Sequence, residues 1–109
     1  MSRVDQLNKI LRGLQSGSPD VEASALISEE GLMIASALPS HVAESRVAAM
    51  SATLLSLGTR ATNELERGQI EEVLVRGSDG YAVMMNAGQG TLLLVMASKT
   101  AKLGLTFLD

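Results

Sequence analysis

Apolar residues recur at helical spacing from the start of the chain. Val4, Leu7, Ile10 or Leu11, and Leu14 share one side of a helix, which predicts an amphipathic helix over residues 3–15. The stretch Ser-Gly-Ser-Pro-Asp at 16–20 breaks it. The period then changes to two, with Val21, Ala23, Ala25 and Ile27 on one face, predicting a strand over 21–28. Glu29, Glu30 and Gly31 form a short turn, and residues 32–37 return as a second strand to complete a β-hairpin. Ser40 stands where a cap is wanted for a long helix over 41–66, and Gly68 suits the left-handed position past its end.

Three further strands are predicted over 70–76, 81–87 and 91–97, separated by the glycine turns 77–80 and 88–90. The first carries Glu71, Glu72 and Arg76, a charge density suited to an edge strand guarded against stray pairing. The last contains Leu92, Leu93, Leu94, Val95 and Met96, apolar on both faces, so it belongs in the middle of a sheet covered on each side. A short helix over 99–108 closes the chain. The order α-β-β-α-β-β-β-α predicts an α+β fold, with one five-stranded antiparallel sheet sandwiched between a long central helix and two terminal helices. At 109 residues the chain is one domain, 1–109.

Composition narrows the function. A hydrophobic fraction of 46% permits a packed core, and with one Tyr, one Phe and no Trp that core must be aliphatic. The net charge of −3 and the scarcity of aromatics remove both devices a nucleic-acid binder uses, a basic stripe and stacking platforms. No apolar run approaches the ~20 residues a membrane span needs, so no membrane insertion is expected. The N-terminus lacks the apolar centre of a secretory signal, and cysteine is absent, so the chain reads as cytoplasmic.

Little in the sequence suggests chemistry. His41 is the only histidine and has no second ligand nearby; a solvated residue in a helix's first turn is the simpler reading. Glu71 and Glu72 are neighbours on a predicted strand and point to opposite faces, so they cannot converge on a substrate. Gly88-Gln-Gly90 is followed by a strand rather than a helix, which makes it a hairpin turn and not a phosphate cradle. We therefore expect no enzyme activity, no cofactor and no metal.

The long helix is the informative element. At ~100° per residue, Ala43, Val47, Met50, Leu54, Leu57, Ala61 and Leu65 form one stripe, read as the core face. The remaining side shows Ala48, Ser51, Ala52, Leu55, Thr59 and Thr62, and no charged residue occurs from Val47 to Thr59. A helix face meant for water carries charge. This one reads as a dimer interface, placing the helix against its own copy about a two-fold axis. Its polar rim would be Glu44 and Arg46 at one end and Arg60 and Glu64 at the other, the surface for a further partner.

Several segments, taken in order, resemble one known family over essentially the whole chain. Ala25-Leu-Ile-Ser-Glu-Glu-Gly-Leu-Met-Ile-Ala-Ser36 is similar to the first hairpin of the Roadblock family, named for a dynein light chain. Val47-Ala-Ala-Met50 resembles the start of its long helix, and Gly68 with Glu72-Val-Leu-Val-Arg-Gly77 its third strand. Gly88-Gln-Gly-Thr-Leu-Leu-Leu-Val95 and Leu103-Gly-Leu105 resemble its closing strand and helix. The resemblance is nearest to the bacterial, MglB-like subgroup of small-GTPase regulators. It implies a homodimer whose third strands also pair edge to edge, bringing Glu72 and Leu74 into the interface, and a small Ras-like GTPase as partner. A purely structural scaffold subunit and a small-molecule sensor are the alternative readings.

Overall fold

The computed structural model describes Lys9, Arg12, Gly13 and residues 20–99. They form β1 (Val21–Ser28), β2 (Met33–Ala37), α1 (Glu44–Glu64), β3 (Val73–Gly77), β4 (Gly80–Gly88) and β5 (Thr91–Ser98). The helices predicted over 3–15 and 99–108 lie outside the described residues, except that Lys9, Arg12 and Gly13 are helical and Lys99 is in a turn.

All strands join one antiparallel sheet of order β2-β1-β5-β4-β3, so β5 is central and β3 and β2 are its two edges. The register explains the double burial of β5. Leu94 lies between Ala25 and Met84 on one face, and Val95 lies between Ser24 and Val83 on the other. All six are buried. On the first face, Ala25, Ile27, Met84, Leu92 and Leu94 pack with Ala48 of α1 to form the core cluster. The strand boundaries follow the turn residues: Gly31, Gly88 and Gly90 all have positive φ, which side-chain-bearing residues seldom adopt.

The long helix is shorter than its predicted span of 41–66. Pro39 closes a turn first, its carbonyl accepting from the Val42 N–H at 3.0 Å, and the helix starts at Glu44. Ala43, not Ser40, holds the N-cap position and makes no side-chain cap bond. At the other end, the Arg67 N–H donates to the Thr62 carbonyl (2.8 Å) and the Glu66 N–H to that of Asn63 (3.2 Å). That pair of bonds is a Schellman motif, and Glu66 takes its left-handed position with φ 55°. Gly68 has a separate positive φ of 88° in the connection to β3.

Gly58 lets that connection approach the helix. A Cβ on Gly58 would come within 2.6 Å of Ile70 Cδ1 and 2.7 Å of Val73 Cγ2. The absent side chain is what lets Ile70 and the start of β3 pack against the middle of α1. As a result, one flank of the helix and the sheet edge lie side by side.

Candidate protein-binding surface

The structure turns α1 on its axis relative to the sequence reading. Ala48 and Ser51, expected outward at a dimer interface, are buried against the sheet of their own protomer. Ala52 and Leu55 are half-buried and pack against the same core, and Thr62 is also half-buried; of this set only Thr59 is exposed. From the stripe read as core, Met50 is 57% exposed, Leu57 52% and Leu65 67%, and Ala43 and Ala61 are exposed as well. Val47 and Leu54 sit between the two sides and contribute to the core from its border. The physical reason is size: Ala48 and Ser51 let the helix axis come close to the sheet, whereas Met50 and Leu57 would hold it off.

Charge still supports a contact surface on the outward side. Ala49, Met50, Thr53, Ser56 and Leu57 are all exposed, and the uncharged stretch from Val47 to Thr59 covers them. Apolar area of this kind continues onto the sheet edge. Leu74 and Val75 of β3 are 50% and 44% exposed, and Glu72, half-buried, precedes the strand. Between the helix and this edge runs a groove of about 220 Å³, walled by Val47, Met50 and Leu54 on one side and Val75, Ala82 and Met84 on the other. Met50, Leu54, Leu57 and Val75 are the residues missed as interface candidates. Their signal in the sequence was large apolar side chains bordering an uncharged stretch.

The four predicted rim residues, Glu44, Arg46, Arg60 and Glu64, are all exposed. Glu44 is additionally tied to β2, its Oε2 accepting from the Ser36 hydroxyl at 2.5 Å. Arg60 borders a hollow on the opposite flank of α1, across from Glu29 and Glu30. His41 is exposed; Glu71 is exposed and Glu72 half-buried. Among the described residues no three His, Cys, Asp or Glu side chains come together as metal ligands would, and no helix is long and apolar enough to cross a membrane.

Comparison with known proteins places this architecture. The Roadblock/LC7 domain model matches residues 7–97. Two uncharacterized proteins of Methanocaldococcus jannaschii are each 32% identical over 85 residues, spanning 78% of this chain and 74% of their own length. A solved Roadblock/LC7 domain from Streptomyces avermitilis superposes with a TM-score of 0.81 at 26% identity, covering 90% of this chain and 82% of that one. Myxococcus xanthus MglB gives a TM-score of 0.85 at 16% identity, covering 99% and 81%, a likeness of fold.

Proposed function

We propose that this chain, which belongs to the Roadblock/LC7 family, is a non-catalytic homodimeric module that regulates or recruits a small Ras-like GTPase. The observation that carries the reading is the continuity of three features on one flank: the uncharged outward side of α1, the apolar groove beside it, and the exposed edge of β3. A monomer would leave Met50, Leu57 and Val75 in water together, a patch that soluble chains normally cover, with Leu74 exposed on the other face of the same edge. A second copy applied about a two-fold axis covers all of it. Strand β3 meets its twin edge to edge, and the two helices pack flank to flank.

In this dimer Glu72 and Leu74 keep the interface role expected of them, joined by Met50, Leu54, Leu57 and Val75, whereas Thr59 lies on the opposite flank of α1 beside Glu29 and Asn86 and drops out. Glu44, Arg46, Arg60 and Glu64 remain as the charged margin of a two-helix platform on which a GTPase docks. Two-fold symmetry offers one asymmetric partner one full site, giving two copies of this chain per GTPase. The resemblance of the first hairpin, long helix and closing strand to the MglB-like subgroup favours a regulator over a scaffold subunit. The grooves beside α1 are open surface hollows, which speaks against the sensor reading.

The test is mass and capture in sequence. Light scattering at micromolar concentration is expected to return twice the chain mass. Affinity purification from the native cell is expected to retain a Ras-like GTPase in a nucleotide-dependent manner. A monomer mass refutes the dimer, and a dimer that retains no GTPase in either nucleotide state refutes the regulator.

A further inference from the structure

The open edge of β3 carries opposite charges on either side of an apolar residue. Glu72 precedes the strand, Arg76 lies within it, and Leu74 stands midway between them. Gly77 and Gly80 face each other across the two-residue turn 78–79, where only an exchange of both backbone bonds can pair them. Alternation from that pair turns the N–H and C=O groups of Val75 and Val73 toward β4 and leaves those of Leu74 and Arg76 on the open edge. Glu72 continues the alternation by one step. The three side chains share the sheet face away from α1, since Leu74 and Arg76 stand opposite Val83 and Tyr81 of β4. The Arg76 guanidinium carbon lies 5.3 Å from the centre of the Tyr81 ring, a contact that holds the cation on this face while its N–H groups stay able to donate. Among the described residues neither Glu72 nor Arg76 has an ion-pair partner.

A two-fold axis normal to the sheet runs two copies of β3 antiparallel and keeps both helices on one side. Opposed side chains must share a face, so the axis has to pass where a residue meets its own twin: Val73, Leu74 or Val75. Centred on Val73, the pairing sets Glu72 against the partner's Leu74 and Arg76 against the partner's Ile70. Centred on Val75, it sets Leu74 against the partner's Arg76 and Glu72 against the partner's Ser78. Centred on Leu74, it sets Glu72 against the partner's Arg76 twice over, Leu74 against its twin, and Val73 against the partner's Val75. Of the three, this register alone matches Glu72 and Arg76 with opposite charge and each apolar residue with another.

We infer that β3 joins a second copy of the chain in the register centred on Leu74, with two Glu72–Arg76 ion pairs across the axis. The inference rests on the dimer proposed above and adds how its edges meet. Opposite charges facing each other across a ladder attract and like charges repel. Charges that would deter an unrelated strand are thus complementary to the same edge of a second copy, and the edge selects its own kind.

Two measurements test the register. The chain has no cysteine, so a single introduced thiol has only its twin to oxidise with. In this register the two Leu74 Cα atoms lie about 5.5 Å apart, within disulfide reach, whereas those of Val73 or of Val75 are more than about 7 Å from their twins. Leu74→Cys is therefore expected to cross-link in mild oxidant, and Val73→Cys and Val75→Cys are not. Glu72→Arg and Arg76→Glu each bring like charges together twice, and each is expected to weaken self-association about tenfold or more in sedimentation. Mixed in equal amounts, these two variants regain both ion pairs, so native mass spectrometry is expected to find the mixed dimer in excess over either self-dimer. A statistical mixture, unweakened single variants, or a Val73→Cys or Val75→Cys protein that cross-links faster than Leu74→Cys overturns the register and leaves the dimer standing. A parent chain that sediments as a monomer overturns both.

Discussion

Glu66 holds a backbone conformation that side-chain-bearing residues avoid, at a cost of about 1–2 kcal/mol. It does so because the Schellman bonds to Thr62 and Asn63 require a left-handed residue at that place. Glu66→Gly is therefore expected to stabilise the fold by about 1 kcal/mol, read as a higher midpoint in urea with an unchanged slope. Gly58 carries the opposite expectation. Alanine there gains about 1 kcal/mol of helix propensity, but its methyl would strike Ile70 and the stiff, β-branched Val73. Overpacking of about 1–3 kcal/mol is expected to win, so Gly58→Ala should lower the urea midpoint. Neither position was legible in the sequence. Gly68 gave the clearer stop signal, and a glycine in the middle of a helix shows what it must accommodate only once the returning strand is placed.

Among the elements, the strands were the readable part. Alternation in β1, the two-sided apolar run of β5 and the glycine turns between strands each have one reading, and the central place of β5 follows from them; β3 is an edge as its charges suggested, but it starts at Val73, so Glu71 and Glu72 precede it and only Arg76 lies within it. The helix was ambiguous for a physical reason. Both of its sides are apolar or small over three turns, so period alone cannot choose which meets the sheet; the distance between helix and sheet chooses, and favours Ala48 and Ser51. This ordering is testable by paired substitution. Ala48→Leu is expected to cost about 1–3 kcal/mol by overpacking the core. Met50→Glu should leave circular dichroism unchanged while dissociating the dimer in light scattering, because it places a charge against its own copy. A Met50→Glu protein that stays dimeric would move the interface away from this flank.

At the scale of the whole molecule, the charged margin of the proposed platform would govern encounter with a partner more than residence on it. Arg60→Ala is expected to slow GTPase association and flatten its salt dependence while leaving the dimer mass unchanged, and stopped-flow mixing at several ionic strengths would measure this. Unaltered kinetics would relocate docking, with the Glu29–Glu30 turn the next surface to substitute. The sheet order has a separate consequence, which concerns synthesis. Strand β5 is the last of the described strands to be made, yet it is the one that joins β1 to β4. While the chain emerges from the ribosome, the β1–β2 hairpin and the β3–β4 hairpin can each form, but both keep an unpaired inner edge until Thr91–Ser98 arrives. Until then those edges are open to any other strand in reach. Closure therefore comes late and through contacts distant in sequence, which slows folding. A nascent chain stalled before Thr91 should be degraded by protease at levels that leave the released protein whole.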